Sequence, residues 1–421
     1  MRFRFIHAAD LHLDSPMHGL TARQPHLASL FADAARNAFV ALVSEAIERD
    51  AAFLIIAGDV YDGDWRDYHT GLFFAGQLAR LTRAGIPAYL IRGNHDADSI
   101  ISRSLTLPAD VHLFGTRKAE TVELPALKVA LHGRSFAERA VSENMVRSYP
   151  QAVPGWFNIG VLHTSLDGRA GHASYAPCTL ADLRAKQYDY WALGHIHAAE
   201  IVCEDPYVVF PGNLQGRHIR ETGAKGAMLV EVEDGAIVGV EPLTLDRARW
   251  AHIRVDVGAA ASLDEVVRRV EPALRREALA AGERPLALRL TLDGETPVHH
   301  GLAASGPHVQ AELQAAADRV SDRLYVERVV LATTPPRTEP ADAGIGFADP
   351  EALLSGVEGE PGFAAAFAAA FEDIAARLPD ELRPLLAEGG EEARSGLLDE
   401  ARSIALGRLR QGRGSGGEPG A

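Results

Sequence analysis

The chain has 421 residues, of which 47% are hydrophobic and 24% are charged, and its formal net charge is −15. This composition excludes wholesale disorder and a membrane-embedded protein, and the length predicts more than one domain. Sixteen acidic and seven basic residues from Thr338 onward supply −9 of the −15. The net acidity argues against nucleic-acid binding, but because most of it lies in this last part, the rest of the chain can still bind nucleic acid.

Short apolar runs alternate with helix-like stretches from residue 1 to about residue 245. Continuous apolar runs indicate buried strands. The predicted strands are 3–8, 53–57, 87–91, 159–162 and 190–193. A helix is predicted over 31–49, which has helical spacing and no internal glycine or proline. Two further runs, 227–232 and 236–242, flank Asp234-Gly235 and predict a hairpin. The pattern fits an α/β domain with mixed sheets.

The next stretch, 246–336, is predicted to form a small βαβαβ domain. Ser262 and Glu265 there match a helix N-cap and its capping-box partner. Residues 337–421 complete the chain as a linker, a helical segment and a disordered Gly-rich end. One predicted helix of this tail carries an apolar stripe at helical spacing. The stripe consists of Phe363, Phe367, Phe371, Ile374 and Leu378. A second helix is predicted over 391–409. The predicted domains are therefore 1–245, 246–336 and 337–421.

Five short motifs follow apolar runs of the first domain. In chain order they are Asp10-Leu11-His12, Gly58-Asp59, Gly93-Asn94-His95-Asp96, His163 and Gly194-His195-Ile196-His197. The first two motifs and the lone His163 carry little weight by themselves, and the other two carry moderate weight, but five in this order indicate one site. Side chains two residues apart in an extended segment point to the same side, so we expect Asp10 to converge with His12, and His195 with His197.

The side chains of these motifs suit a pair of metal ions. Ligands at the ends of strands meet at the rim of an α/β sheet. The set contains oxygens and nitrogens without cysteine, which favours Mn²⁺, Fe or Zn²⁺. One shared carboxylate with three further ligands for each ion would hold two ions ~3.5–4 Å apart, and such a pair activates water and clamps phosphoryl oxygens.

Together the motifs resemble the calcineurin-like metallophosphoesterases over residues 1–242. The resemblance implies a four-layer α/β sandwich, in which helices flank two mixed sheets, and two divalent metal ions, with Mn²⁺ preferred to Fe or Zn²⁺. One ion would be held by Asp10, His12, Asp59 and His197, and the other by Asp59, Asn94, His163 and His195. His95 would protonate or stabilise the leaving oxygen, and Asp96 would orient His95.

Residues 5–14 and 210–226 resemble the SbcD-type DNA repair exonucleases, in particular their YhaO-like group. This implies a metal-dependent phosphodiesterase that cuts DNA as an exonuclease or endonuclease, with residues 246–336 as a capping domain. It also implies that the C-terminal helices dock an SMC/Rad-like ATPase. Arg217, His218 and Arg220 are candidate contacts to the DNA backbone, with a salt-bridging loop as the alternative.

Other interpretations stay open. The same metal site would serve a phosphodiesterase for a small substrate, such as a cyclic nucleotide or a nucleotide pyrophosphate. A non-enzymatic module whose tail recruits a partner is a third hypothesis, and a homodimer is not excluded. We expect His7 to be a packed neighbour rather than a ligand. We expect Asp62 and Asp64 to be solvated turn acids, with acids that contact the metal ligands or face the DNA as the alternatives. Without a signal-like start or a span of ~20 apolar residues, we expect a cytoplasmic protein without membrane contact.

Overall fold

The structure is a computed structural model that describes residues 1–15, 25–62, 68–98, 105–166, 175–336, 350–377 and 390–414. The chain divides into two compact units, Met1–Ala251 with Glu283–Ala287, and His252–Gly282 with Leu288–Ala421. Within the described ranges, no helix has both the length and the apolar character needed to cross a membrane.

Two six-stranded sheets form the frame of the first unit. Their strands are β1 (Arg2–Ala8), β2 (Phe53–Ala57), β3 (Ala88–Ile91), β4 (Val111–Leu113), β5 (Glu120–Leu124), β6 (Val129–Gly133), β7 (Phe157–His163), β8 (Tyr190–Gly194), β9 (Glu200–Glu204), β10 (Tyr207–Phe210), β11 (Gly226–Glu233) and β12 (Ala236–Thr244). The strand orders are β12-β11-β1-β2-β3-β4 and β5-β6-β7-β8-β10-β9. In the first sheet β1, β2, β3 and β4 run parallel, and β11 and β12 join them in antiparallel pairs. The second sheet has a parallel centre and the antiparallel edge strands β5 and β9. All five predicted strands and the predicted hairpin are confirmed.

Helices cover the outer faces of both sheets. They are α1 (Pro25–Glu48), α2 (Tyr68–Arg83), α3 (Asn94–Asp98) and α4 (Leu180–Arg184). The inner faces of the sheets share one apolar core, in which Phe5 stacks on Phe53 and meets the edge of Tyr190. Phe39 of α1 packs on the outside of the first sheet, and Trp191 lies in the core outside the second. The predicted four-layer α/β sandwich with two mixed sheets is therefore confirmed.

The second unit contains a three-stranded sheet with helices. Its elements are β13 (Arg249–Asp256), α5 (Leu263–Ala281), β14 (Leu286–Glu295), α6 (His299–Ala304), α7 (Gly306–Val320), β15 (Leu324–Thr334), α8 (Pro350–Glu358), α9 (Phe363–Arg377) and α10 (Gly390–Gly414). The strand order is β13-β14-β15. The Ser262 side chain accepts a hydrogen bond from the backbone N–H of Glu265, as the sequence predicts. The short helix α6 is an addition to the predicted elements.

The C-terminal helices belong to this second unit. Helix α10 packs closely on α6, since a Cβ added at Gly407 would lie 2.1 Å from the backbone oxygen of His300. Phe363 and Phe367 stack on one face of α9 with ring centroids 6.3 Å apart. Two members of the predicted apolar stripe, the side chain of Ile374 and the whole of Leu378, lie outside the described residues.

Candidate metal centre

All seven predicted ligands lie at one rim of the two sheets. Asp10 and His12 follow β1, Asp59 follows β2, and His163 is the last residue of β7. Asn94 begins α3 just after β3, while His195 and His197 follow β8. The parallel central strands direct these carboxyl ends to the same edge. Six of the seven ligands are buried, and His197 is 19% exposed at its side chain.

The backbone at this rim is strained. Asp10, His12, Asp59 and His195 have φ angles of 52°, 41°, 52° and 99°, in the left-handed region that residues with a Cβ seldom adopt. Such strain gathers at functional sites, where surrounding contacts hold it. The expected extended conformation of Asp10-Leu11-His12 is therefore wrong, because β1 ends at Ala8. The two side chains converge through left-handed turns and not through strand alternation.

Three motif glycines make room for the ring of His163. A Cβ at Gly58, Gly93 or Gly194 would lie 2.6, 2.8 or 2.8 Å from atoms of that ring. The Cβ at Gly93 would also lie 2.2 Å from Asp59 Oδ1. The glycines of these motifs therefore leave the space that Asp59 and His163 occupy.

Two imidazoles face each other in the first half of the site. The Nε2 atoms of His12 and His197 are 3.2 Å apart, and His197 Nε2 is 3.8 Å from Asp10 Oδ1. On their far sides, the Nδ1 atom of His12 donates to Asp62 Oδ1 at 2.9 Å, and that of His197 donates to Glu221 Oε1 at 2.7 Å. Each neutral ring thus presents a lone pair at Nε2.

The second half of the site surrounds His163. Its Nδ1 atom donates to the backbone oxygen of Ala57 at 2.9 Å, so Nε2 faces Asn94 Oδ1 at 3.0 Å and Asp59 Oδ2 at 3.3 Å. The ring of His195 lies beside it, with centroids 5.3 Å apart. The same Asp59 oxygen is 3.9 Å from Nε2 of His12. Asp59 therefore lies between the two halves, the position that a bridging ligand requires.

These donors fit metal ions. Two lone pairs 3.2 Å apart repel each other unless a proton or a cation lies between them. The distance is short enough for both nitrogens to reach one ion at metal–nitrogen lengths of ~2.0–2.1 Å. Three overlapping groups of side chains offer ligand atoms within 4.8 Å of one another: Asp10, His12 and His197; Asp10, Asp59 and His163; His12, Asp62 and His95.

The pKa shifts reflect the same crowding. Burial raises the pKa of Asp10. Burial also opposes charge on Asp59, but His163 and His12 hold the pKa of Asp59 well below its usual range. Burial and the Arg217 guanidinium lower the pKa of His12 to about 4, although Asp62 opposes the shift. For His163 burial works against protonation, yet Asp59 outweighs it and raises the pKa of His163 to about 9. A metal cation in place of that proton would offset the charge of the Asp59 carboxylate in the same way.

The expected partner of His95 requires a correction. Asp62 Oδ1 lies 3.1 Å from His95 Nδ1, so Asp62 contacts both His95 and His12. Asp96 instead accepts hydrogen bonds from the backbone N–H groups of Val60, Tyr61 and Gly93 at 3.0–3.1 Å. Asp96 thereby ties together the loops after β2 and β3.

Asp62 is therefore not the solvated turn acid that the sequence suggested. Its side chain is 18% exposed. Contacts with His12 and His95 outweigh its burial and hold the pKa of Asp62 well below its usual range. Burial works against a proton on His95, but Asp62 raises the pKa of His95 above its ordinary value. The three-residue spacing from Asp59 was the available sequence signal for this acid. Asp64 lies outside the described residues.

The three candidate DNA contacts have different environments. The Arg217 guanidinium lies between two acids, 3.5 Å from Asp62 and 3.3 Å from Glu221, which matches the salt-bridging alternative. His218 and Arg220 are exposed at the same loop. The ring nitrogens of His218 lie 3.2 Å from the Arg220 backbone nitrogen and 3.4 Å from Glu221 Oε1, so the Arg220 side chain is the more accessible of the two.

His7 is a buried neighbour of the site, as expected. Its Nδ1 atom is 3.0 Å from the Tyr190 hydroxyl, and its Nε2 atom is 3.1 Å from the backbone oxygen of Leu193. With both nitrogens in protein hydrogen bonds, the ring is a structural residue.

Comparisons with known proteins agree with this geometry. The family model "Calcineurin-like phosphoesterase" matches residues 3–199, and "Metallophosphoesterase YhaO, middle domain" matches residues 250–334. The uncharacterized metallophosphoesterase YhaO of Bacillus subtilis is 36% identical over 301 residues, which cover 70% of this chain and 72% of that protein.

More distant relatives include two archaeal proteins named DNA double-strand break repair protein Mre11. That of Aeropyrum pernix is 27% identical and matches 63% of this chain and 66% of its own length. That of Methanopyrus kandleri is 27% identical and matches 63% of this chain and 62% of its own length. Among solved structures, the protein TT1561 of Thermus thermophilus has a TM-score of 0.34 at 11% identity, covering 57% of this chain and 99% of that one. A dimetal phosphatase from Danio rerio has a TM-score of 0.35 at 12% identity, covering 54% and 92%.

Proposed function

Because this chain belongs to the YhaO-like calcineurin-like metallophosphoesterases, which are metal-dependent phosphoester hydrolases, we propose that it is a two-metal phosphodiesterase that cleaves DNA. The observation that carries the proposal is the pair of facing Nε2 atoms of His12 and His197, joined through Asp59 to a second set around His163. We propose Mn²⁺ for both positions, which the resemblance prefers, although oxygen and imidazole ligands also accept Fe or Zn²⁺.

Each residue has a separate task in this proposal. Asp10, His12, Asp59 and His197 would hold one ion, and Asp59, Asn94, His163 and His195 the other. Two bound ions would supply a nucleophile at neutral pH and offset the charge on phosphoryl oxygens. The protein positions the ligands beforehand, so that the reaction requires little reorganisation.

We assign the proton donor to His95. Its side chain is 31% exposed, whereas most of the ligands are buried, so it borders the space that a substrate enters. Asp62 accepts from Nδ1, which leaves Nε2 as the nitrogen that donates a proton to the leaving oxygen. Burial works against the charged ring, but Asp62 raises the pKa of His95 and so favours its protonated form. Asp96 would hold the loops after β2 and β3 together.

DNA is the substrate that the relatives favour. The two Mre11 proteins carry names that refer to DNA double-strand break repair, and from these we infer a repair nuclease, acting from ends or internally, in the cytoplasm. His218 and Arg220 would contact the DNA backbone outside the metal centre.

The test is hydrolysis by the full chain with and without Mn²⁺. We expect Mn²⁺-dependent cleavage of bis-p-nitrophenyl phosphate and of linear duplex DNA, with DNA inhibiting hydrolysis of the small diester. Inactivity on both across several metals would refute the proposal. If cyclic nucleotides or nucleotide pyrophosphates are cleaved while duplex DNA neither reacts nor competes, the small-substrate alternative is correct.

An SMC/Rad-like ATPase is the proposed partner, and the C-terminal helices are its proposed binding site. Leu353 and Val357 of α8 are one helical turn apart and are 52% and 48% exposed. Leu353→Glu with Val357→Glu should abolish co-elution with such an ATPase and leave diester hydrolysis intact. The matched control is Leu279→Glu on α5, whose side chain is 85% exposed. If the α8 double variant and the Leu279→Glu control bind the ATPase equally well, the C-terminal helices are not the binding site. Light scattering of the free chain would reveal a homodimer.

A further inference from the structure

The carboxylate of Glu221 is buried and fully engaged at the edge of the metal centre. Its side chain is 5% exposed. Oε1 accepts from His197 Nδ1 at 2.7 Å, and Oε2 accepts from Asn213 Nδ2 at 2.9 Å and from the Arg217 backbone N–H at 2.7 Å. A buried carboxylate is costly unless it is paired and hydrogen-bonded, so this loop is folded around the charge. The sequence assigned no role to this residue.

The contact with His197 determines how that ring can act. Because Nδ1 must donate to the carboxylate, the proton of the neutral ring stays on Nδ1 and the lone pair stays on Nε2, which faces His12. A carboxylate behind a ligating imidazole fixes its tautomer and its rotation and makes it a stronger donor. We propose that Glu221 is a positioning residue that prepares His197 to bind a metal ion.

The two halves of the site differ in the groups that hold the Nδ1 atoms of their histidines. His12 is held by Asp62 and His197 by Glu221, whereas His163 is held by the backbone oxygen of Ala57. Loss of the Glu221 carboxylate therefore removes support from one metal position and leaves the supports of His163 in place. The inference rests on the proposed two-metal function. It states that Glu221 supports only the ion that His197 would bind.

The experiment titrates the metal-free full chain with Mn²⁺ by isothermal calorimetry. Glu221→Ala should weaken one of the two Mn²⁺ sites by roughly 10–100-fold. Glu221→Gln should have a smaller effect, because its amide oxygen can still accept from Nδ1. The other site should change by less than about threefold, and turnover of bis-p-nitrophenyl phosphate should recover at high Mn²⁺. The control is Glu120→Gln, which removes an acid 3.7 Å from the imidazole of His112 outside the centre; it should leave both sites unchanged.

The outcomes separate the inference from the proposed function. A wild-type chain that binds no pair of Mn²⁺ ions overturns the proposed function, and the inference with it. A wild-type chain that binds two ions, with Glu221→Gln and Glu221→Ala at wild-type affinities, overturns the inference alone. Equal weakening of both sites in folded Glu221→Gln also overturns it. If Glu221→Ala does not fold, Glu221→Gln decides the question.

Discussion

Replacement of Gly93 by alanine should disable the metal centre without removing any functional group. The added Cβ would lie 2.2 Å from Asp59 Oδ1 and 2.8 Å from a carbon of the His163 ring. Contacts under 3.0 Å do not persist, and ordinary contact begins at 3.4 Å. Asp59 must therefore move by about 1 Å, and a misplacement of that size in a catalytic constellation costs ~100-fold in rate.

The assay for Gly93→Ala combines kcat/KM on bis-p-nitrophenyl phosphate with Mn²⁺ affinity and the free energy of unfolding in urea. We expect a loss of ~100-fold in kcat/KM, weaker Mn²⁺ binding, and a destabilisation of about 1–3 kcal/mol from overpacking. The control is Gly76→Ala in the interior of α2, where a Cβ meets nothing within 4 Å. That variant should gain about 1 kcal/mol from helix propensity and keep full activity.

These two alanine variants separate a local effect at Asp59 from a general effect on the fold. If Gly93→Ala is folded and retains wild-type kcat/KM and Mn²⁺ affinity, the position of Asp59 beside Gly93 does not matter for function. An equal loss in Gly76→Ala would show that alanine acts through general destabilisation.

Three further substitutions test separate parts of the site. Asp59→Asn should lose Mn²⁺ binding and hydrolysis together, because it removes the charge that lies between both halves; calorimetry that still shows two tight sites would contradict bridging. His95→Gln should lower kcat by about 100–10,000-fold while Mn²⁺ affinity stays the same, with His252→Gln in the second unit as the unaffected control; full activity of His95→Gln would remove it as the proton donor. Burial lowers the pKa of His7 from 6.5 to about 3. Between these values the unfolded chain binds a proton that the folded chain does not, so the free energy of unfolding falls with decreasing pH by up to about 1.4 kcal/mol per unit; His7→Asn should lose that slope in urea titrations from pH 6 to pH 4, and identical slopes would contradict the burial argument.

The sequence was sufficient to predict the frame and the convergence of the candidate ligands at one rim. Buried parallel strands appear as continuous apolar runs, and their carboxyl ends must meet at one edge, so residues that follow such runs can be grouped without a structure. This is why Asp10, Asp59, His163 and His197, although up to 187 positions apart in the chain, could be expected at one site. Sequence patterns also identified His7 correctly as a packed neighbour.

The surroundings of the ligands could not be predicted in the same way. Asp62 and Glu221 lie in loops, which have no periodicity that reveals where a side chain points. Their roles depend on the contacts with His12, His95 and His197 that exist only in the folded chain. For the same reason Asp96 seemed the natural partner of its sequence neighbour, although its carboxylate is used by backbone N–H groups.

The conformation of the ligand loops was also beyond the sequence. Left-handed φ angles are commonest for glycine, and although aspartate and histidine adopt them more often than most residues, the sequence does not show that Asp10 and His12 do so. Tertiary contacts impose them, as when the backbone N–H of Asp10 donates to the oxygen of Gly58 and that of His12 to the oxygen of Asp59. The convergence of Asp10 and His12 was therefore predicted from strand alternation, whereas in the structure left-handed turns bring the two side chains together.

The most direct measurement is an anomalous scattering map of the full chain crystallised with Mn²⁺. We expect two peaks ~3.5–4 Å apart, one between the Nε2 atoms of His12 and His197 and the other beside Nε2 of His163, with Asp59 touching both. A map with no peak at this rim, or with Mn²⁺ bound only at side chains elsewhere, would contradict it.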